Sequence, residues 1–368
     1  MQPQKTELAA AAAERLLAWY STHFRPLPWR QQPTPYRVWV SEIMLQQTRI
    51  EAVLPYYERF MRALPDVAAL AAVPTDQLLK LWEGLGYYSR ARNLQKAAQQ
   101  LCRETGGELP ADYAALLKLP GIGEYTAGAI ASIAFGQAVP AVDGNVMRVL
   151  ARLTGDSTDV LSAGAKAHFA AIAREMLPPQ QPGRFNQALM ELGETVCLPK
   201  AAPACDGCPW QPFCAACAGG LTDLLPVRAR RKPRRIEQRQ VAVVLLPGEV
   251  PRVLLHRRPP SGLLAGLWEL PNAMEGQPVL PETLPVQPLP EILPAGKHIF
   301  SHVEWHMTGK LYRLTLPPGE ELPADYAAVT LEQLQASYAL PSAFRLYAAQ
   351  LPARIQKEAE IWTKEPII

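Results

Sequence analysis

Residues 119–148 read LPGIGEYTAGAIASIAFGQAVPAVDGNVMR, and this stretch decides how the first part of the chain folds. Pro120-Gly121-Ile122-Gly123 is a glycine-bracketed hairpin feeding a helix that the pattern starts near Glu124. Gly121 and Gly123 let the backbone bend where a side chain would clash, and a helix start aims unpaired N–H groups outward. Such a start attracts a phosphate by hydrogen bonds and by the positive end of the helix dipole. Further on, Val142-Asp143-Gly144-Asn145 sets one carboxylate on a turn before the next helix. A phosphate grip indifferent to sequence, followed by an acid, suits chemistry on a DNA backbone or a flipped base. The plainer reading is a helix–helix turn and an ordinary N-cap.

Working outward, apolar residues recur at helical spacing over Val38–Ile50, Leu78–Leu101, Tyr113–Leu119, Ala127–Ile133, Val146–Leu153 and Phe185–Val196. The loops between carry Pro, Gly and Asp. After the run PVRARRKPRRIEQRQ (226–240), with seven Lys or Arg and one Glu, the period changes. Gln240–Leu246, Arg252–Arg257 and Lys310–Leu316 are short, branched and bounded by Pro or Gly, which predicts strands. Residues 278–294 are proline-rich and read as irregular loops; Ser342–Leu351 reads as a closing helix. The expected organisation is a helical domain over 1–225, a basic linker over 226–238, an α+β domain over 239–352 and a tail over 353–368. The basic run reads first as an extended linker and second as a polyanion contact.

At 368 residues and 48% hydrophobic composition, two packed cores are expected. Net charge is only +3, which by itself says nothing about nucleic acid. No apolar run reaches membrane-span length and no signal peptide opens the chain, so the expected setting is cytoplasmic, with no membrane partner. Four of the six cysteines, Cys197, Cys205, Cys208 and Cys214, fall close together with Cys217 just behind. Clustered thiols in a chain without an export signal point to metal. Tetrahedral zinc through the pairs Cys205/Cys208 and Cys214/Cys217 and a [4Fe–4S] cluster beginning at Cys197 both fit this spacing.

Glu42 lies in Tyr36-Arg-Val-Trp-Val-Ser-Glu-Ile-Met-Leu-Gln-Gln-Thr48. Ile43, Met44 and Leu45 surround it with apolar bulk, which disfavours the charged carboxylate and suits a general acid. A water-facing Glu is the alternative. Gln46, Gln47 and Thr48 at the helix end can probe base edges or fill the gap left by a flipped base. Gly84-Leu-Gly-Tyr-Tyr88 offers a second wedge, with Tyr87 and Tyr88 to stack on bases and Arg90 and Arg92 to reach phosphates.

In order, Trp39–Thr48, Gly84–Asn93, Leu119–Gly128, Val142–Val146 and the cysteine loop closely resemble the MutY family of adenine DNA glycosylases, within the helix-hairpin-helix class. The resemblance reaches the second domain, where Arg258-Pro-Pro-Ser-Gly262, Gly266-Leu-Trp-Glu-Leu-Pro271 and Phe300-Ser-His302 are similar to the family's Nudix-like C-terminal domain. It implies an all-α glycosylase domain with an iron–sulfur cluster loop followed by an α+β Nudix-like domain. It also implies a monomeric, nucleoid-associated bacterial enzyme that removes adenine opposite 8-oxoguanine in double-stranded DNA. By that resemblance Glu42 protonates the flipped adenine, Asp143 stabilises the sugar cation and Tyr125 lines the pocket. Gln47 and Tyr87 intercalate around the 8-oxoguanine, which Phe300, Ser301 and His302 read from the other side. The [4Fe–4S] cluster would take Cys197, Cys205, Cys208 and Cys214.

Two departures stand out. Seven residues separate Cys197 from Cys205 where the family usually has six, and Met147 stands where some relatives carry a DNA-contacting lysine. Strand-cleaving relatives place a nucleophilic lysine where this chain has Tyr125, which cannot form a Schiff base, so base removal without nicking is expected. Glu269, Glu275 and Glu291 are too scattered to be a Nudix metal array, so the second domain is expected to recognise damage rather than hydrolyse nucleotides.

Overall fold

The computed structural model describes residues 2–199, 202–229 and 233–362, without the side chains of residues 2–6, 361 and 362. Arg230, Arg231 and Lys232 of the basic run lie outside the described residues, as does the end of the tail. The chain divides into two units, Met1–Ala72 with Asn93–Arg231, and Val73–Arg92 with Lys232–Ile368.

The helical part runs α1 Gln2–His23, α2 Pro28–Gln31, α3 Pro35–Leu45, α4 Ile50–Ala63, α5 Val67–Ala72, α6 Thr75–Leu81, α7 Ser89–Thr105, α8 Tyr113–Leu116, α9 Glu124–Phe135, α10 Gly144–Thr154, α11 Ala165–Met176, α12 Pro182–Thr195 and α13 Ala215–Ala218. The Val38–Ile50 expectation breaks at Gln46–Arg49, and Leu78–Leu101 breaks at the Gly84–Tyr88 turn, where Gly84 and Gly86 take positive φ. Helix α3 starts cleanly. Thr34 accepts the Arg37 N–H at 3.3 Å, and Pro35 fills a position whose missing donor costs nothing. It is buried from Val38 to Met44, so it has no water-facing stripe to hold Glu42. Helices α10, α11 and α12 pack with α1 around Val146, Leu150, Phe169, Phe185 and Leu189.

The hairpin is a turn held by the Ile122 N–H to Leu119 C=O bond. Gly121 has φ +79°, and a Cβ there would lie 2.7 Å from the Asn93 Cβ. Gly123 differs from expectation. Its backbone is extended and a Cβ would meet nothing within 4 Å, so sterics do not demand glycine there.

The second unit is built on a mixed sheet of order β3-β2-β1-β6-β5, from β1 Arg235–Leu246, β2 Arg252–Arg257, β3 Trp268–Glu269, β4 Asn272–Met274, β5 Val286–Ile299, β6 Val303–Leu314 and β7 Tyr326–Val329. Strands β1 and β6 are parallel over Arg235–Leu245; β4 pairs antiparallel with β1, and β7 with β2. The expected irregular loop at 278–294 is overturned in its second half, which is strand β5. Pro288, Pro290 and Pro294 are tolerated because β5 is an edge strand, and register shifts at Pro288/Ile292 and Leu293/Gly296 absorb the missing donors. Helices α14 Leu331–Ser337, α15 Arg345–Ala348 and α16 Leu351–Trp362 follow. Phe344, Tyr347, Leu351 and Ile355 cover Val243, Trp305 and Met307 on one face of the sheet. The closing helix is therefore broken after Ala348 and extends past Leu351 into the expected tail.

Candidate active site

Glu42 and Asp143 open on one cleft of about 840 Å³ in the first unit, within the range of ligand sites. Glu42 is 5% exposed, and burial pushes its carboxyl up to about 7; the Tyr125 hydrogen bond works against that rise, and the charge of Asp143 adds to it. The Tyr125 hydroxyl donates to Glu42 Oε2 at 2.7 Å. Burial and the two acids hold that phenol well above its usual range, so it remains a neutral donor. With Oε2 accepting, the carboxyl proton belongs on Oε1. The water-facing alternative for Glu42 is excluded by its burial.

Asp143 is both N-cap and cleft residue. Its Oδ1 accepts the Val146 N–H at 2.8 Å. Burial raises its carboxyl above the ordinary value, opposed by the backbone N–H of Val146 and the charge of Arg148. The loop before it is fastened by Asn186, fully buried on α12. The Asn186 amide donates to Ser132 Oγ at 2.8 Å and Val139 C=O at 2.9 Å, and its oxygen accepts the Ala141 N–H at 3.1 Å.

The polar trio after α3 divides. The Gln46 amide donates to Thr126 Oγ1 on α9 at 3.3 Å, tying the helix end to the hairpin helix. Gln47 is exposed with φ 60°, a left-handed backbone that costs a non-glycine residue energy and places its side chain outward. Thr48 caps the bend through its N–H to Leu45 C=O. At the hairpin, α9 begins at Glu124 with no side chain capping its N–H groups, beside the open space at Gly123. Met147 lies in the core at 7% exposure and offers DNA no contact.

In the second unit, Tyr87 and Tyr88 part company. Tyr87 is 45% exposed with φ 47°; Tyr88 is 6% exposed, so its ring is packed inside and its expected stacking on a base is corrected. Arg90 is also corrected. It donates to Leu85 and Gly86 C=O and stacks beside Trp82 and Tyr87, which spends its guanidinium on shaping the turn. Arg92 donates to Ala265 C=O. Tyr87 shares a cleft of about 510 Å³ with the β5–β6 tip, where Ser301 and His302 are exposed. Phe300 is instead an anchor, its ring edge-on to Trp305 at 4.8 Å. Glu269 is 1% exposed and paired to Arg258 at 2.9 Å, and Glu291 pairs with Arg354 and Lys357.

Cys197, Cys205, Cys208, Cys214 and Cys217 line one cavity walled by Val149, Leu153, Leu192, Val196 and Trp210. Buried Arg148 donates to Cys197 C=O at 2.9 Å, and Arg152 Nη1 lies 3.3 Å from Cys197 Sγ. The Cys214 thiol donates to Arg152 C=O at 3.3 Å. Burial, then the neighbouring thiols, hold Cys205 up to about 11, and burial does the same for Cys208. Such thiols give up protons only to a cation that replaces them. Among the described residues, no three His, Cys, Asp or Glu side chains converge as a single ion requires.

Missed by sequence reasoning is the ionic wall of the cleft. Buried Glu191 receives Arg25 Nε at 2.5 Å and Arg30 Nη2 at 2.7 Å, and Arg25 also bridges to Glu194 at 2.7 Å. The charge of Arg30 lowers, and that of Glu194 raises, the Glu42 carboxyl. No motif spacing joins Arg25 to Glu191, 166 residues apart.

A family model for the HhH-GPD superfamily of base excision DNA repair proteins matches residues 40–174, and a NUDIX domain model matches 241–350. The adenine DNA glycosylase of Rattus norvegicus is 37% identical over 92% of this chain and 78% of its own length. That of Homo sapiens is 36% identical over 92% of this chain and 74% of its own. The chain belongs to the adenine DNA glycosylase family. It is accordingly a base-excision-repair DNA N-glycosylase, a hydrolase with DNA as substrate. Its helical part is similar to a thermostable thymine-DNA glycosylase structure, with TM-score 0.54 and 25% identity over 58% of this chain and 99% of that one. No helix among the described residues is long and apolar enough to cross a membrane.

Proposed function

We propose that this adenine DNA glycosylase flips adenine from a mispair with 8-oxoguanine or guanine in duplex DNA and hydrolyses its N-glycosidic bond, leaving an abasic site without nicking the strand. The observation that carries this is a buried Glu42 carboxyl lifted to about 7 and held by Tyr125, in one cleft with Asp143. A carboxylic acid still protonated near neutral pH can donate to the flipped adenine and turn it into a leaving group. Ionised Asp143 then stabilises the positive sugar until water adds. Each contribution is worth about a hundredfold or more. Developing positive charge beside Asp143 favours its ionised form, offsetting the burial that raises it.

In this reading the uncapped N–H groups of α9 and the open approach at Gly123, on the turn made by Gly121, take a backbone phosphate. Gln47 and Tyr87, each held at an unfavourable positive φ, are the wedges that enter the stack. Gln46 and Thr48 support the first of these from behind. Exposed Ser301 and His302, on a tip pinned by Phe300, read the base opposite adenine.

Cys197, Cys205, Cys208 and Cys214 fit a [4Fe–4S] cluster, because their side chains ring a cavity rather than meet at a point. When bound, the cluster would supply a rigid cross-link of four thiolates for the loop after α12. Arg148 and Arg152 carry that rigidity into α10, whose first turn Asp143 caps.

Cleavage of a labelled duplex carrying adenine opposite 8-oxoguanine, with and without alkali, tests the reading. Strand breaks only after alkali are expected. Breaks without alkali would overturn the monofunctional assignment and direct attention to exposed Lys166, which lines the same cleft.

A further inference from the structure

Five thiols, not four, line the cavity below α10. Cys217 stands within hydrogen-bonding reach of Cys205. Its position is set by packing. Helix α13 begins directly after Cys214, and a three-residue spacing puts Cys214 and Cys217 on one face of that turn. Ala216 between them is fully buried, and its C=O accepts the Leu221 N–H at 2.7 Å, so the turn is pinned in place. Cys205 is the contrasting partner. It opens a single 3-10 turn whose neighbours Ala204, Asp206 and Gly207 are exposed, and no side chain caps that turn. A ligand on a thinly covered turn therefore has a well-anchored spare thiol beside it. The thiols whose charge acts on Cys208 are those of the other three ligands.

We propose that Cys217 is a reserve ligand of the iron–sulfur cluster, able to replace Cys205; this rests on the cluster assignment made above. In the exchange the iron–Sγ bond to Cys205 breaks and an iron–Sγ bond to Cys217 forms. The proton of the Cys217 thiol passes to the departing Cys205 thiolate, and no electron is gained or lost. A loop whose Cys205 ligand can be lost without losing the cluster is protected against modification at that position.

The test uses the full-length protein and its variants Cys205→Ala, Cys208→Ala, Cys217→Ala and the Cys205→Ala/Cys217→Ala double variant. Iron and acid-labile sulfide per chain are measured together with mass-mapped alkylation of Cys217. Cys217→Ala is expected to keep wild-type iron and Cys205→Ala to keep most of it, while Cys208→Ala and the double variant fall about tenfold. Cys217 should be alkylated in the native wild type and protected in Cys205→Ala. Iron loss in Cys205→Ala equal to that in Cys208→Ala, or equal Cys217 alkylation in both proteins, would overturn the proposal. Should Cys205→Ala fail to fold, wild type and Cys217→Ala are compared for iron release to a chelator under mild oxidation. Release about threefold faster or more without Cys217 is expected, and equal rates would overturn the reserve role. A wild-type protein without iron or sulfide would instead overturn the cluster assignment itself.

Discussion

At the scale of single residues, the proposed chemistry rests on where one carboxyl keeps its proton. Glu42 binds its proton more tightly in the folded chain, at about 7, than at the ordinary 4.5. The folded state is therefore fully favoured below about 4.5 and loses stability as pH rises toward 7, by roughly 3 kcal/mol in all. Glu42→Gln removes that burden. We expect the variant to melt higher than wild type at pH 8 by calorimetry, while single-turnover excision falls about a hundredfold or more. Tyr125→Phe acts in the other direction on the proton. Its hydrogen bond lowers the Glu42 carboxyl, so its loss should move the alkaline limb of the excision profile to higher pH. Asp143→Asn separates two roles. Asn is as good an N-cap as Asp, so α10 and duplex binding should survive while excision drops by orders of magnitude; unimpaired excision in single-turnover assays would remove Asp143 from the mechanism. Glu42, Asp143 and Tyr125 were legible because each sits in a short motif. Arg25, Arg30, Glu191 and Asn186 were not, because their partners are far off in sequence and no periodicity marks a buried amide.

At the scale of elements, the hairpin separates two glycines that look alike in sequence. Gly121→Ala forces a Cβ into Asn93 at a left-handed backbone position and should cost about 1–3 kcal/mol in chemical denaturation. Gly123→Ser meets open space and supplies an N-cap oxygen, so the fold should be kept or slightly stabilised. Its side chain competes for the N–H groups that the proposed phosphate contact uses, so duplex affinity measured by anisotropy should fall. Only backbone geometry tells the two apart; the letters Gly-Ile-Gly do not. Strand β5 was hidden for the opposite reason. Proline signals loop in any local reading, and its tolerance here depends on an edge position that only the sheet order defines. The parallel pairing of β1 with β6 is likewise invisible to local pattern.

At the scale of the molecule, the sequence divides at a basic linker, whereas the packed units do not follow the chain so simply. Residues 73–92 belong with the second unit. Lys80 donates to Leu334 and Tyr338 C=O at 3.1 Å, Glu83 accepts the Leu340 N–H at 2.7 Å, and Arg257 pairs with Asp76 at 3.3 Å. A chain ended at Arg231 loses all of these partners. Hydrogen exchange over residues 73–92 should then accelerate strongly relative to the full chain, with Gly121–Phe135 little changed; unchanged exchange at 73–92 would contradict the division.

The most direct test of the whole account is single-turnover adenine excision followed from pH 6 to 9. A rate that is high up to about 7 and then falls about tenfold per pH unit, with Glu42→Gln about a hundredfold or more below wild type at pH 6, is the predicted result. A rate independent of pH across that range, or excision by Glu42→Gln at the wild-type rate, would contradict a protonated Glu42 as the acid.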